Sequence, residues 1–226
     1  MARKPIKVFF FGDSICFGQY VSPYKTWTTR ISAQLGKLEK AYHRQILVVN
    51  ASINGCTTRQ ALERMPYDVQ SHAPQVILVQ YGMNDCNVWE TDRGHPRVSQ
   101  SAFAANLTEI VGRARIFGAR RVFLNTNHPS GHTRRNLPFC QYTYEQANRC
   151  YNQIIREVAT KLSPLVLLTD MEKVFLERVV KGVPLARLLH EDLLHLGEGG
   201  HQLYYAMLKP KVVSAVRELL EHGRRI

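Results

Sequence analysis

Ser14 follows the Gly-Asp pair that ends an apolar run, and its hydroxyl is a possible nucleophile. A serine attacks an acyl carbon only when a base takes its proton. Asp192 and His195 offer that base and its orienting group, because residues three apart in a loop can place a carboxylate against one imidazole nitrogen while the other faces outward. Gly-Asp-Ser alone is also typical of a turn or a helix N-cap. The three residues together predict nucleophilic serine chemistry.

The chain alternates short apolar runs with amphipathic segments. The apolar runs, which we interpret as buried strands, are residues 8–11, 45–50, 75–80, 121–125 and 165–168. Helices are predicted over 26–42, from Thr57 or Thr58 through Val69, and over 99–117, 142–162 and 198–221, with a broken helix over 170–189 and a kink or break near Pro210. Strands that alternate with helices form a parallel sheet covered on both faces. Without a linker or a repeat, one domain spanning residues 1–226 is the simplest prediction.

The strand pattern predicts where the chemistry gathers. Every strand of a parallel sheet ends at the same edge, which is where open α/β sheets bind their ligands. Ser14 follows the first strand, Gly55 the second and Asn84 the third. If these strands are neighbours, the three residues meet at one edge, and Asp192 and His195 need only fold over it. We therefore predict one site built from four separated parts of the chain.

Four sequence blocks, in this order along the chain, resemble those of the SGNH (GDSL) hydrolase family. They are Gly12-Asp13-Ser14-Ile15, the loop 50–55 (NASING), Gly82-Met83-Asn84-Asp85 and Asp192-Leu193-Leu194-His195. The stretch from Val48 to Asp85 is especially similar to the branch of bacterial thioesterase and lysophospholipase enzymes. With the strand–helix pattern, the resemblance covers essentially the whole chain and implies a flavodoxin-like, three-layer α/β/α fold with strand order 2-1-3-4-5.

The resemblance also implies a role for each of five residues. Ser14 attacks an acyl carbonyl, His195 takes its proton and later returns it to the leaving group, and Asp192 holds the imidazole in the required tautomer. The oxyanion is held by the backbone N–H groups of Ser14 and Gly55 and by the side-chain amide of Asn84. Developing negative charge needs fixed donors of this kind; glycine allows close backbone approach, and an amide donor does not titrate.

Two long polar loops, residues 87–97 and 126–138, should rise from the same edge of the sheet and wall the site. Their candidate substrate-binding residues are Trp89, His128, Arg134 and Arg135. The arginines favour an anionic substrate, such as an acidic sugar ester, a phospholipid headgroup or a CoA thioester. A solvated basic loop explains them equally well. No His, Asp or Glu cluster has metal-type spacing, so we predict neither a metal nor a cofactor.

The chain is strongly basic, with a formal net charge of +12 over 226 residues. That charge suits an anionic substrate, an acidic surface or nucleic acid. The Lys and Arg residues are dispersed, however, and no basic run is interleaved with aromatics, so we expect no nucleic-acid partner. No apolar run approaches the roughly 20 residues that span a bilayer. The expected partner is a small-molecule ester, and the oligomeric state is left open.

Two features bear on the cellular compartment. The basic start, residues 1–7, is followed by an apolar run too short for a signal peptide, so if Met1 is the natural start the protein is expected in the cytoplasm. A chain from which a signal peptide has been removed would look the same. Five cysteines, an odd number without a CxxC pair, predict reduced and mostly buried thiols.

We predict a serine esterase that hydrolyses a carboxylic ester, with an O-acetyl carbohydrate, a lysophospholipid and an acyl thioester all compatible as substrates. Acyl transfer to an acceptor other than water is also possible on this set of residues. The alternative is a catalytically inactive basic binding module for nucleic acid or another anionic partner. That alternative explains the net charge of +12. It does not explain why serine, glycine, asparagine and an Asp/His pair recur at four strand or helix ends.

Overall fold

The computed structural model describes residues 4–222 and contains a five-stranded parallel sheet. The strands are β1 (Ile6–Gly12), β2 (Ile46–Asn50), β3 (Val76–Gln80), β4 (Arg121–Asn125) and β5 (Val166–Thr169). Their order is β2-β1-β3-β4-β5, and Val8 of β1 lies beside Val48 of β2 and Val76 of β3. The predicted α/β class and strand order are confirmed.

Helices cover both faces of the sheet. They are α1 (Ser14–Phe17), α2 (Trp27–Tyr42), α3 (Thr58–Asp68), α4 (Gln100–Ile116), α5 (Tyr144–Lys161), α6 (Met171–Val180) and α7 (Glu198–His222). Right-handed crossovers put the β1-to-β2 connection on one face and the later connections on the other, because the chain reverses direction across the sheet after β2. Accordingly α2 packs against α7, whereas α3, α4 and α5 pack side by side.

Local sequence fixes where the longer helices begin. Thr57 and Thr143 each form a reciprocal cap with the glutamine three residues later, at the starts of α3 and α5. Thr26, Ser99 and Asp170 cap α2, α4 and α6 with a side-chain oxygen. Each cap satisfies a backbone N–H that the helix leaves unpaired, which stabilises the fold by about 1 kcal/mol.

The core anchors the edge of the sheet that carries the proposed site. β1 and β3 are buried almost throughout, and the Phe10 ring of β1 packs edge-on against Trp27. The Trp27 indole N–H donates to the Ile15 carbonyl at 3.0 Å, which ties α2 to the turn after β1. The Ser14 turn is thus held by a fully buried side chain.

Of the two helix interruptions predicted, one is confirmed and one needs correction. The broken helix predicted over 170–189 is the ten-residue α6, then a turn with Gly182 at φ 88°, then a 3-10 turn over Leu185–Arg187 that Pro184 precedes. α7 runs from Glu198 to His222 without the break that Pro210 suggests. A proline inside a helix removes one hydrogen bond, and packing of the buried face against the sheet and α2 outweighs that loss here.

Three further findings concern the part of the chain that the structure describes. No helix within residues 4–222 is long and apolar enough to cross a bilayer. Over the same residues, no three His, Cys, Asp or Glu side chains are grouped so that they could hold a metal ion. All five cysteines are free thiols, of which Cys16, Cys56 and Cys86 are buried. The outer limits of the predicted domain, residues 1–3 and 223–226, lie outside the described residues.

Candidate active site

The loops after β1, β2 and β3 meet in one small cavity at the carboxyl edge of the sheet. Ser14, Gly55, Asn84 and His195 all line this cavity, which has a volume of about 140 Å³. We call it the Ser14 cavity; its remaining lining comes from Ile15, Gln19, Met83, Asn87, Tyr144 and Leu194. The structure therefore brings together the three sheet-edge residues and the histidine that the sequence places far apart.

The turn after β1 points Ser14 into the cavity. Asp13 caps α1 by accepting the Ile15 N–H at 3.0 Å, and Gly18 ends this short helix in the left-handed conformation. A Cβ on Gly12 would lie 2.6 Å from the Cys16 Cβ and 2.7 Å from the Gln80 carbonyl oxygen. Only glycine permits this close passage of the chain, so the Gly-Asp-Ser order has a steric reason.

A chain of hydrogen bonds joins the serine to the histidine and the aspartate. Ser14 Oγ lies 2.9 Å from His195 Nε2, and His195 Nδ1 lies 2.5 Å from Asp192 Oδ2. The carboxylate accepts, so Nδ1 carries the ring proton and Nε2 is free to accept the serine proton. This arrangement can deprotonate Ser14 at the moment of attack on an acyl carbon.

Asp192 is held as a carboxylate by its surroundings. Its Oδ1 accepts the backbone N–H groups of Leu194 and His195 at 3.0 and 2.9 Å. Partial burial acts to raise the pKa of Asp192, but the hydrogen bonds from the His195 ring and from these two N–H groups outweigh it and lower the pKa to about 2. The group that orients His195 therefore stays charged at any pH near neutrality.

Two candidate oxyanion donors face the same cavity. Gly55 adopts φ 73°, a left-handed conformation that strains other residues, although a Cβ there would meet open space. Its glycine is thus required by backbone conformation. The Asn84 amide nitrogen lies 3.3 Å from both Asp13 Oδ2 and the Cys56 carbonyl oxygen. Both bonds are long, and they fix the direction of the amide beside Ser14.

Two buried carboxyl groups support these loops. Burial raises the pKa of Asp13 to about 7, against the hydrogen bonds it accepts from Ile15 and Asn84. Burial likewise raises the pKa of Asp85 to about 6, against the hydrogen bonds from Thr58. Asp85 Oδ1 accepts the Thr58 N–H at 2.9 Å and its hydroxyl at 2.5 Å, which joins the loop after β3 to the start of α3.

The four candidate substrate-binding residues are not equivalent in the structure. The prediction that His128 binds substrate needs correction. Its side chain is fully buried, with both ring nitrogens hydrogen-bonded inside the protein, and so does not reach a substrate. Trp89 is half exposed and covered on one side by the Arg97 guanidinium, 4.2 Å from its ring centre. It lies outside the lining of the Ser14 cavity, as does Arg134.

Arg135 lies on a second cavity that continues the first. This cavity has a volume of about 450 Å³ and shares Asn87, Tyr144 and Leu194 with the Ser14 cavity. We call it the side groove; its charged and polar lining includes Glu90 and His132 as well as Arg135. Arg134, the neighbouring exposed residue, does not line it.

Sequence reasoning missed two residues that brace the site. The Arg64 guanidinium of α3 donates to the Ala51 carbonyl at 2.6 Å and to the Tyr81 hydroxyl at 2.7 Å, and it stacks on the Phe11 ring. The Tyr20 ring packs edge-on against His195. Neither carries a sequence signal, since an arginine on a polar helix and a tyrosine in a loop both read as solvent-exposed.

Comparisons with known proteins bear on the family of the chain. The model of the GDSL-like lipase/acylhydrolase family matches residues 10–203. An arylesterase of Vibrio mimicus is 28% identical over 129 residues, which cover 57% of this chain and 58% of that protein. Thioesterase 1/protease 1/lysophospholipase L1 of Escherichia coli (strain K12) is 28% identical over 109 residues, 46% of this chain and 49% of that protein. The matches thus span about half the length of these relatives.

A solved structure shows the same fold. The crystal structure of the acetyl xylan esterase AlAXEase superposes with a TM-score of 0.71 at 23% sequence identity. The superposition covers 92% of this chain and 100% of the other. At that level of identity the likeness shows the α/β/α architecture alone.

Proposed function

The chain belongs to the GDSL-like lipase/acylhydrolase family, and we propose that it is a serine esterase that works through an acyl-Ser14 intermediate. One observation carries the proposal: Ser14, His195 and Asp192 are joined by hydrogen bonds of 2.9 and 2.5 Å at a cavity that Gly55 and Asn84 also line. A turn or N-cap role for Ser14 would not need a histidine and a carboxylate in this order.

The proposed reaction has two halves. Ser14 Oγ attacks the ester carbonyl while His195 Nε2 takes its proton, and the Asp192 carboxylate stabilises the imidazolium that forms. Collapse of the tetrahedral intermediate breaks the bond to the alcohol oxygen, which receives the proton from His195. Water then repeats the sequence on the acyl-serine: His195 takes a water proton, the acid is released and Ser14 regains its hydrogen.

The proposed oxyanion hole consists of the Ser14 and Gly55 backbone N–H groups and the Asn84 amide. The two backbone donors are fixed before the substrate arrives, by the α1 turn and by the left-handed backbone at Gly55. The Asn84 amide donates its two hydrogens over long distances of 3.3 Å to Asp13 Oδ2 and the Cys56 carbonyl, so one of these bonds gives way when the amide donates to the oxyanion. Preorganised donors stabilise the transition state without having to reorient, and loss of one typically costs about a hundred- to a thousandfold in rate.

The size of the cavity favours a short acyl group. A volume of about 140 Å³ accommodates an acetyl or similar group beside Ser14, while the side groove of about 450 Å³ accommodates a larger polar group. Among the predicted substrates, an O-acetyl ester of a polar alcohol such as a carbohydrate fits this division best. We propose such a small molecule as the substrate, with no nucleic-acid partner.

The test is hydrolysis of p-nitrophenyl acetate, butyrate and octanoate by the wild type and by Ser14→Ala. We expect turnover that falls with chain length in the wild type and is lost in the variant, with the circular dichroism spectrum unchanged. Ser101→Ala, an exposed serine in α4, is the matched control and should behave as the wild type.

The contrary outcomes are distinct. Equal turnover by Ser14→Ala would mean that Ser14 is not the nucleophile. Absence of turnover, together with no labelling of Ser14 by a fluorophosphonate, would favour the basic binding module. Faster octanoate than acetate hydrolysis would leave the serine mechanism in place and overturn the short-acyl proposal.

A cytoplasmic location is part of the proposal. Five free thiols, three of them buried, suit a reducing compartment, where disulfides do not form. Fractionation of cells that produce the full-length protein should recover it with the cytosolic enzymes. Recovery in the membrane or periplasmic fraction would contradict this.

A further inference from the structure

One segment of the chain holds three backbone carbonyl groups of the loop that carries Asp192 and His195. We call residues 192–195 the catalytic loop and residues 128–132, which follow β4, the clamp segment. Three successive carbonyl groups of the catalytic loop accept hydrogen bonds from the clamp segment. The bonds run from His132 Nε2 to the Asp192 oxygen (2.9 Å), from the Gly131 N–H to the Leu193 oxygen (2.8 Å) and from His128 Nε2 to the Leu194 oxygen (2.9 Å).

The middle of the catalytic loop is strained. Leu193 adopts φ 56°, a left-handed conformation that a branched side chain occupies at a cost of about 1–3 kcal/mol. Such a conformation persists only where the surroundings over-determine it. Here the Leu193 carbonyl and the carbonyls on either side of it are each held by a donor, and the Leu193 N–H donates to the His190 carbonyl at 2.9 Å.

The two segments approach closely at Gly131. A Cβ on Gly131 would lie 2.7 Å from the Leu193 Cβ, a distance that real side chains do not tolerate. The Gly131 position therefore sets how near the clamp segment comes to the catalytic loop. A larger residue there would push the two apart and lengthen all three hydrogen bonds.

His128 is the buried end of the clamp segment, and its geometry fixes its proton. A carbonyl oxygen only accepts, so Nε2 carries the hydrogen that bonds Leu194. In the neutral ring Nδ1 then accepts the Tyr204 hydroxyl, which lies 3.1 Å away. Burial lowers the pKa of His128 to about 4, although the bond to the Leu194 carbonyl acts to raise it. The lowered pKa keeps the ring neutral near pH 7.

The clamp segment is itself tied to α5. Ser130 donates its N–H and its hydroxyl to the Glu145 carboxylate at 2.7 and 3.1 Å. The Glu145 N–H donates to the His132 carbonyl, and the Asn148 amide donates to the His128 carbonyl at 3.0 Å. The clamp segment is thus part of the rigid scaffold, and the catalytic loop rests on it.

We propose that the clamp segment is a positioning device for the proposed triad, with His128 and Gly131 setting where Asp192 and His195 stand relative to Ser14. The proposal rests on the serine mechanism proposed above. Neither His128 nor Gly131 touches the substrate; both act through the strained loop. A displacement of about 1 Å in such a loop lowers the catalytic rate by up to about a hundredfold.

The test compares three substitutions by steady-state kinetics on p-nitrophenyl acetate. His128→Phe keeps an aromatic ring, although a somewhat larger one, and removes both hydrogen bonds. We expect kcat to fall about ten- to a hundredfold with KM within about threefold. His128→Gln retains an amide donor near the position of Nε2, and we expect it to recover part of the lost kcat. Gly131→Ala should lower kcat in the same way by steric displacement.

His201→Phe is the matched control. His201 is also buried, and burial lowers the pKa of His201 to about 4, but its Nδ1 accepts the Trp27 N–H of α2 instead of bonding a carbonyl of the catalytic loop. We expect its kcat to stay within about twofold of the wild type. An equal loss of kcat in His201→Phe and His128→Phe would mean that replacing either buried histidine disturbs the fold enough to lower activity. That result would overturn the proposal.

A second readout is independent of activity. Amide hydrogen exchange of the peptide covering 190–196 should accelerate in His128→Phe and Gly131→Ala, while the β1 and β3 peptides stay protected. Unchanged kcat together with unchanged exchange in this peptide would refute the clamp. Retained activity of Ser14→Ala would instead remove the serine mechanism, and the exchange experiment would still decide whether the clamp segment holds the loop.

Discussion

At the residue scale, the burial of Asp13 makes the stability of the protein depend on pH. Its carboxyl group is fully buried beside Ser14, and burial raises its pKa from 3.8 to about 7; Asp85 is raised to about 6 for the same reason. Between about pH 4 and pH 7 the folded protein therefore holds protons that the unfolded chain has released. The free energy of unfolding consequently falls as the pH rises through this window.

We expect Asp13→Asn to reduce that fall, because an amide does not ionise. At about 1.4 kcal/mol per pKa unit, the variant should gain up to a few kcal/mol over the wild type between pH 5 and pH 8. The measurement is urea denaturation of both proteins at the two pH values. Glu157→Gln removes an exposed carboxylate of α5 and is the control for the loss of one negative charge.

Activity should move in the opposite direction in the same variant. The substituted amide keeps an acceptor for the Ile15 N–H, but it loses the carboxylate oxygen to which Asn84 donates at 3.3 Å. We expect a lower kcat with KM nearly unchanged, since a transition-state donor is disturbed rather than a binding contact. A gain in stability at pH 8 with full kcat would show that Asp13 does not position Asn84.

Residue types and their order were enough to predict which side chains meet. Ser14, Gly55 and Asn84 follow three apolar runs that form neighbouring parallel strands. Because these strands end at the same edge of the sheet, the three residues lie close together. His128 was assigned wrongly because a histidine in a polar loop reads as exposed. What buries it are the Phe175 and Tyr204 rings, which come from distant parts of the chain and give no local signal.

At the element scale, the strands and most helices were predictable because each has a strong period and a capping residue. The interruption within 170–189 was predictable as well, because glycine and proline are unfavourable inside a helix, and Gly182 adopts φ 88° after α6 ends. The helix that includes Pro210 shows where the same rule fails. A local breaker does not end a helix whose buried face packs along α2 and the sheet.

Glycines inside the elements separate local from tertiary requirements. Gly36 lies exposed within α2, and a Cβ there would meet nothing within 4 Å, whereas a Cβ on Gly12 would clash with Cys16 and Gln80. We expect Gly36→Ala to stabilise the protein by about 0.5–1 kcal/mol without changing kcat, because alanine loses less entropy in a helix. Gly12→Ala should destabilise it by about 1–3 kcal/mol and lower kcat.

Thermal unfolding and p-nitrophenyl acetate hydrolysis of the two variants check this pair. A lower melting temperature for Gly36→Ala would mean that α2 tolerates no change at its exposed face. Full kcat for Gly12→Ala would mean that the turn before Ser14 relaxes without moving the serine.

At the scale of the whole molecule, the net charge of +12 acts on every approaching ligand. Long-range attraction raises the association rate of an anionic substrate, and salt screens it, since the Debye length falls from about 30 Å at 0.01 M to about 3 Å at 1 M. The charge alone does not distinguish an esterase from a basic binding module. Its coupling to turnover does, because only an esterase converts faster encounter into a larger kcat/KM.

Arg135 and Arg134 allow the local and global parts of this effect to be separated. Both are exposed and adjacent, so replacing either removes one positive charge from the same region, but only Arg135 lines the side groove beside the Ser14 cavity. For an anionic acetate ester, kcat/KM should fall by about tenfold or more as salt rises, and a neutral ester should show little change. Arg135→Ala should raise KM for the anionic ester at low salt and flatten its salt dependence, while Arg134→Ala should have a smaller effect. Equal effects of the two variants would assign the preference to overall charge, and a neutral ester as salt-sensitive as the anionic one would exclude electrostatic steering altogether.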